Sequence, residues 1–204
     1  MLGMGFKPEP LGSQQWEQLQ TFDVQDVCAR ANVQFDEMPR AYLVPFMGKQ
    51  YVVSLDSRII GGPDRDPLVQ DVEFMLLLLV YLLQTQNLPL AGKWISEKEI
   101  PGGDLFFKGP HGLPVQPLMT RFGNDVEAFI KAGEAYGGKP IQEYGDAAFE
   151  FQTLPNIPVV CILWAADDEF PARVSFLFDP SIQSQLPLDV ILALVRCVAT
   201  NLLN

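Results

Sequence analysis

The sequence predicts an α+β fold in which an antiparallel sheet of about five strands packs against apolar helices. Two segments, near residues 41–86 and 157–203, each combine two apolar runs, a short polar turn between them and a long apolar helix. In both segments the second run ends in an apolar-x-apolar-Asp pattern, at Asp56 and at Asp179. We interpret the segments as pseudo-duplicated ββα units, with chance similarity as the alternative.

Length and composition favour a single domain over residues 13–204. The chain has 204 residues, of which 48% are hydrophobic and 19% are charged. A chain of this size buries about 70% of its unfolded surface, so its core needs no disulfide or metal for stability. Residues 1–12 contain Gly, Pro and Lys without periodicity, which is typical of a flexible N-terminal arm.

The first unit is predicted to contain strands at 41–47 and 51–60, joined by a turn at Gly48. Asp66-Pro67 then resembles a helix start, because a capping carboxylate precedes a proline at the first helical position. We expect this helix to run over residues 67–86. Its residues 74–83 are apolar on every side, so it should be covered on several sides, either by the fold or by a second copy in a homodimer.

The second unit is predicted to follow an amphipathic helix at 124–136 and a strand at 147–151. Its hairpin should pair residues 159–164 with 173–178, and the last apolar helix should begin near residue 187. We expect both apolar helices to pack on one face of a sheet that the two hairpins build together.

Charge and hydropathy exclude two classes of partner. The formal net charge is −11 and the Lys and Arg residues are scattered, whereas phosphate backbones need clustered cations. The apolar run 74–83 is shorter than the about 20 residues that span a bilayer. No basic leader with an apolar segment stands at the N-terminus, so we expect a cytoplasmic protein with neither a nucleic-acid nor a membrane partner.

The cysteines predict neither a disulfide framework nor a metal centre. Cys28, Cys161 and Cys197 are odd in number and far apart in the sequence. An iron–sulfur cluster needs about four thiolates, some of them at C-x-x-C spacing, and a zinc site would have only His111 as an imidazole ligand. We expect the thiols to be packed in the core and the chain to have no cofactor.

Asp167-Asp168-Glu169 is the densest group of like charge in the sequence, and it lies between two predicted strands. Three adjacent carboxylates are candidate ligands for a hard divalent cation, and they can also raise one another's pKa for acid–base chemistry. The alternative is a solvated hairpin tip whose charges keep the strand edge from pairing with other chains.

Residues in two loops are further candidates for ligand binding. Gly102-Gly103 would allow a ligand to approach the backbone closely, although turn geometry alone also explains paired glycines. His111, the only histidine, lies in a loop of glycine and proline. It is a candidate acid–base group or axial ligand of a haem or corrinoid, and the alternative is an exposed side chain.

Several short segments together carry a resemblance to a known family: Gly92–Ser96, Pro101–Gly103, Leu163-Trp164, Asp167–Ala172 and Leu177–Asp179. They resemble an uncharacterised bacterial and archaeal family of unknown function, over roughly residues 20–203. Members of that family occur largely in anaerobes, and some carry a small iron–sulfur domain, so they are often labelled putative iron–sulfur cluster proteins. This chain departs from that label because it lacks closely spaced cysteines.

Two functions follow from these observations. The first is a non-catalytic accessory or ligand-binding domain that works with redox or corrinoid enzymes, which is what the resemblance implies. The second is a small-molecule enzyme that uses the acidic turn 167–169, with or without a divalent cation. The first is favoured because no constellation centred on His, Cys or Lys stands out in the sequence.

Overall fold

A computed structural model describes residues 12–204, so nearly all of the expected arm 1–12 lies outside the described residues. The helices are α1 (Ser13–Thr21), α2 (Val24–Ala31), α3 (Val72–Gln84), α4 (Gly103–Phe106), α5 (Val115–Phe122), α6 (Val126–Ala135) and α7 (Leu188–Leu203). The strands are β1 (Gln34–Glu37), β2 (Arg40–Phe46), β3 (Lys49–Ser54), β4 (Ile59–Gly61), β5 (Ile95–Ser96), β6 (Lys139–Pro140), β7 (Ala147–Leu154), β8 (Ile157–Trp164) and β9 (Arg173–Phe178). Short 3-10 helices lie at Pro67–Gln70, Glu97–Glu99, Gly109–His111 and Pro180–Ser184.

The strands form two antiparallel sheets, in the orders β1-β2-β3-β4 and β5-β9-β8-β7-β6. The α+β class is therefore confirmed, but the expectation that both hairpins share one sheet is wrong. The first hairpin, β2–β3, pairs with its chain neighbours β1 and β4, whereas the second, β8–β9, pairs with its neighbour β7 and with the distant β5. A backbone hydrogen bond joins the two sheets, in which the Met47 N–H donates to the Thr153 carbonyl at 3.1 Å.

The helix expected over residues 67–86 is two helices, the 3-10 helix Pro67–Gln70 and α3. Asp71 separates them with an extended backbone. Its carboxylate caps α3 by accepting a hydrogen bond from the Phe74 N–H at 3.0 Å. The chain thus contains two successive caps, and the second one sets the start of the long helix.

Helix α3 lies in the centre of the molecule and contacts α1, α2 and α7. Eight of its 13 residues are buried, so its apolar surface is covered on several sides from within the chain. One hydrophobic core includes residues of both sheets and both apolar helices. Within residues 12–204 no helix combines the length and the apolar character that crossing a bilayer needs.

The second unit follows the sequence closely. Strands β8 and β9 pair in the expected register region, with Trp164 opposite Arg173, and α7 begins at Leu188. The amphipathic helix expected at 124–136 is α6. These elements depend on local patterns and short turns, and for that reason they are confirmed almost to the residue.

The two units share a sequence of structural elements after the hairpin, but it is not the one that the sequence pattern predicted. In each unit a buried aspartate follows the hairpin, accepts a hydrogen bond from the N–H two residues further on and begins a 3-10 helix. The distances are 3.0 Å for Asp66 and 2.9 Å for Asp179. Asp56, which the sequence pattern matched with Asp179, is instead exposed in a turn. The structural counterpart of Asp179 is therefore Asp66.

Candidate functional site

The five-stranded sheet has two apolar faces, because β8 is apolar at nearly every position. Side chains alternate along a strand, so Val159, Cys161 and Leu163 enter the main core. Val160 and Ile162 point to the opposite, outer face. There a small separate cluster forms from buried and partly buried residues: Ala148, Val160, Ile162, Trp94, Ile141, Tyr144, Trp164 and Leu177.

Two cavities open on this outer face and share Trp164 and Arg173. The first, of about 640 Å³, lies against the β8–β9 turn and includes Asp146, Asp167 and Phe170 in its lining. The second, of about 600 Å³, is bounded by Ser96–Lys98 and Tyr144, with Ile162, Ser175 and Leu177 on its floor. Both volumes fall in the range of small-molecule sites, about 300–1,000 Å³.

Trp164 and Arg173 are direct partners across β8 and β9. The guanidinium carbon of Arg173 lies 4.5 Å from the centroid of the Trp164 ring, a cation–π distance. One guanidinium N–H donates to the Ser175 hydroxyl at 3.4 Å. None of the ion pairs in residues 12–204 includes Arg173, so its charge is available to an anionic group.

The acidic turn borders the first cavity, but its three carboxylates differ in their contacts. Asp167 lines the cavity, and its Oδ1 accepts hydrogen bonds from the N–H groups of Glu169 and Phe170 at 2.8 and 2.6 Å. Asp168 and Glu169 are exposed. This is an Asx-type turn that organises the β8–β9 connection. Across the described part of the chain, no three His, Cys, Asp or Glu residues are close enough together to hold a metal ion.

Asp146 is a site residue that sequence reasoning missed. It precedes β7, and its Oδ2 accepts a hydrogen bond from the Ala165 N–H at 2.7 Å. Its own N–H donates to the Leu163 carbonyl at 2.9 Å. Asp146 thus joins the loop before β7 to the end of β8, at the wall of the first cavity. The sequence predicted that Trp164 and Arg173 end and begin paired strands, but it did not single out either residue as part of a site.

The Gly102-Gly103 pair lies behind the second cavity. Gly103 is buried at the start of α4, where a Cβ would overlap the Glu97 carbonyl oxygen. Glu97 lines the cavity, so the close approach that glycine allows is between two parts of this chain's own backbone. Gly102 has a φ of +80°, which favours glycine. The pair therefore positions the rim of the cavity.

His111 lies apart from both cavities. Its exposed ring stacks on Phe106 with the ring centroids 4.7 Å apart. The structure thus brings Asp167 together with Trp164 and Arg173 and places Gly103 against Glu97, which lines the second cavity. It does not bring His111 to them.

Asp179 holds the β5 wall of the second cavity in place. It is 4% exposed, and its carboxylate accepts hydrogen bonds from the N–H groups of Ala91 at 3.1 Å and Gly92 at 3.0 Å. Burial by itself raises the pKa of Asp179, but hydrogen bonds from Ser181, Ala91 and Gly92 outweigh it and the pKa is lowered. This carboxylate therefore ties the segment before β5 to the end of β9.

The thiols lie within or beside the core. Cys161 and Cys197 are buried and Cys28 is partly buried, and all three are free. Burial raises the pKa of each thiol. Raised pKa values disfavour the thiolate form that nucleophiles and metal ligands require.

The family model named "Domain of unknown function (DUF3786)" matches residues 23–201, which is most of the chain. The protein therefore belongs to this family. No curated protein and no solved structure matches the chain. The segments on which the family resemblance was based surround the outer face of the five-stranded sheet, since β5 pairs with β9 and β9 pairs with β8.

Proposed function

We propose that this member of the DUF3786 family is a non-catalytic ligand-binding domain, a single unit over residues 13–204. Its binding site is the pair of cavities on the outer face of the five-stranded sheet that share Trp164 and Arg173. The family resemblance further supports a cytoplasmic accessory role beside redox or corrinoid enzymes of an anaerobe. The partner is either the small-molecule ligand or the enzyme that supplies it.

The stacked Trp164–Arg173 pair, which belongs to both cavities, carries this proposal. Aromatic faces favour a planar or apolar ligand body, and an arginine without an ion-pair partner favours a carboxylate or phosphate on the same ligand. Phe170 adds an apolar side chain that is 66% exposed in the first cavity. The ligand class is therefore a planar, largely apolar molecule with an anionic group.

An enzyme that uses the acidic turn is the second candidate. The observation that favours it is that Asp146 and Asp167 both line the first cavity, where they could serve as an acid–base pair. Against it, each carboxylate already accepts backbone hydrogen bonds that hold the site together. A ligand-binding site explains these bonds more simply, because it needs the walls to be fixed and needs no proton transfer.

The binding proposal can be tested with 8-anilinonaphthalene-1-sulfonate, a planar apolar probe that carries one anionic group. We expect saturable binding to the wild type, with energy transfer from Trp164 to the probe. Trp164→Leu should reduce the transfer, and Trp94 in the same apolar cluster should supply what remains. Arg173→Gln should weaken binding about tenfold, because a charge-assisted hydrogen bond is lost. Arg58→Gln removes a charge from the other sheet and should bind the probe like the wild type. Equal binding by all four proteins would refute the site.

The accessory role has a separate test. Native mass spectrometry of the protein purified without oxygen from its own cells reports bound ligand, metal and oligomeric state together. We expect a small-molecule adduct that Arg173→Gln reduces and His111→Ala leaves intact. An adduct of corrinoid mass that depends on His111 would instead assign that residue as an axial ligand. Turnover of the ligand that is lost in Asp146→Asn would favour the enzyme.

A further inference from the structure

A third cavity, of about 480 Å³, lies away from the outer face of the sheet, between α5, α6 and the end of α7. Its polar lining is dominated by Lys49, Arg121 and Lys131, with Tyr136 beside them. None of the residues that line it is an aspartate or a glutamate. The lining of the cavity therefore has three cationic side chains and no acidic one, in a chain whose formal net charge is −11.

Lys49 is held at the base of this cavity by buried partners. Its ammonium donates to Asp66 Oδ2 at 2.7 Å and to Asn201 Oδ1 at 3.4 Å. It also lies 4.8 Å from the centroid of the Tyr136 ring. The Lys49 side chain remains 27% exposed, whereas the Asp66 side chain is fully buried. Its partners thus hold the ammonium in place, and the partly exposed side chain still lines the cavity.

Arg121 and Lys131 lie at the rim and are weakly engaged by other groups. The closest acid to Arg121 is Asp125, at 3.9 Å with both side chains more than half exposed, which is a weak interaction. Lys131 is exposed and takes part in no ion pair within residues 12–204. Both cations can therefore turn towards a ligand at little cost.

We propose that this cavity is a second binding site and that it takes an organic phosphate monoester. A phosphate carries close to two negative charges at neutral pH, and the arginine fork can donate two hydrogen bonds to it. Lys131 adds charge at the rim, and Lys49, whose charge Asp66 largely balances, has one ammonium N–H left to donate beyond those to Asp66 and Asn201. The cavity is larger than a phosphate, and Tyr136 offers a ring face for the organic part of the ligand.

Isothermal titration calorimetry with phenyl phosphate tests this site. We expect saturable binding to the wild type that weakens as the salt concentration rises. Arg121→Gln combined with Lys131→Gln should weaken binding about tenfold or more. Arg58→Gln combined with Lys139→Gln gives the same net charge at positions outside the cavity, and it should bind like the wild type. Tyr136→Leu should bind inorganic phosphate normally but lose its preference for phenyl phosphate.

Three results would overturn the proposal. The first is a wild type that does not approach saturation at millimolar phenyl phosphate. The second is a control pair that weakens binding as much as the rim pair, which would show that only the overall charge matters. The third is that phenol binds as tightly as phenyl phosphate, which would show that the phosphate contributes nothing to binding. Melting temperatures of all variants, measured without ligand, exclude loss of folding as the cause.

Discussion

Asp66 and the Asp167–Glu169 turn place carboxylates in opposite surroundings. The side chain of Asp66 is fully buried, and Lys49, Tyr51 and a backbone N–H donate hydrogen bonds to it. The turn has three adjacent acids that are all exposed, and only Asp167 has backbone donors. A dense group of acids in a sequence thus indicates solvent exposure, because water weakens the repulsion between neighbouring carboxylates. The number of donors that the fold supplies determines which carboxylate is structural.

Asp66 takes its partners from β3, 15 to 17 residues earlier, and from the backbone two residues later. Burial by itself raises the pKa of Asp66, but the hydrogen bonds from Lys49, the Leu68 N–H and Tyr51 outweigh it and the pKa is lowered. The Tyr51 hydroxyl donates to Asp66 at 2.9 Å. The pKa of Tyr51 is raised, by burial first and then by the bond to this carboxylate. Asp66 therefore joins β3 to the segment before α3 in its ionised form.

A carboxylate without partners should show the largest effect. Leu78 is fully buried in α3, so Leu78→Asp would place a charge among apolar side chains. We expect a loss of several kcal/mol in the free energy of unfolding, measured by denaturant titration, or failure to fold. Leu78→Met, which conserves volume, should cost less than about 1.5 kcal/mol. A soluble Asp variant with an unchanged melting temperature would contradict the core position of α3.

Removing the charge of Asp66 should give the next largest effect. Asp66→Asn leaves the Lys49 ammonium without its counterion, and breaking a buried pair costs about 3 kcal/mol or more. Asp56→Asn is the matched control, because its pair with Arg40 is exposed at 3.7 Å and contributes about 0–1 kcal/mol. Adding Lys49→Met to Asp66→Asn should recover part of the loss. Equal denaturation midpoints for Asp66→Asn and Asp56→Asn would show that the buried carboxylate contributes no more to stability than the exposed one.

The buried carboxylates should also make the stability of the protein depend on pH. The folded-state pKa values of Asp66 and Asp179 lie below the ordinary value of 3.8, so the unfolded chain binds these protons first as the pH falls. Their stabilisation is present above about pH 5 and is lost as the pH falls through the folded-state values. Thermal unfolding of Asp66→Asn and Asp179→Asn should therefore vary less with pH in this acid range than that of the wild type. Curves for both variants that run parallel to the wild-type curve would contradict the assignment.

Neutralising the acidic turn should have the smallest effect. In the triple variant Asp167→Asn, Asp168→Asn, Glu169→Gln the Asn oxygen still accepts the turn hydrogen bonds, and the repulsion between the charges is removed. We expect the free energy of unfolding to change by no more than about 0.5 kcal/mol.

A further variant and a metal titration locate any role of the turn. Asp167→Ala removes the acceptor and should cost about 0.5–1.5 kcal/mol. A loss of several degrees in the triple variant would place the acids in a structural network. A rise in melting temperature with calcium, magnesium or manganese in the wild type alone would support a cation site at the turn.

Elements that depend on short-range pattern could be predicted from the sequence. The β8–β9 hairpin and α7 follow from continuous apolar runs, a polar connection and a Pro-Leu start. The break between Pro67–Gln70 and α3 was missed because Asp66 and Asp71 both resemble a helix cap. Only the backbone conformation at Asp71 distinguishes one helix from two.

The candidate site was predictable in part. The sequence by itself determined that Asp167 lies at a hairpin tip and that Trp164 and Arg173 end and begin paired strands, because antiparallel register follows from the turn. Only the tertiary structure decided which face of the five-stranded sheet lies outside the main core and that Asp146 belongs to the site on that face. It also decided that Lys49 contacts Asp66 and Asn201. The physical reason is separation along the chain. Lys49 and Asn201 are 152 residues apart, and no local pattern records a contact that forms only when the core closes.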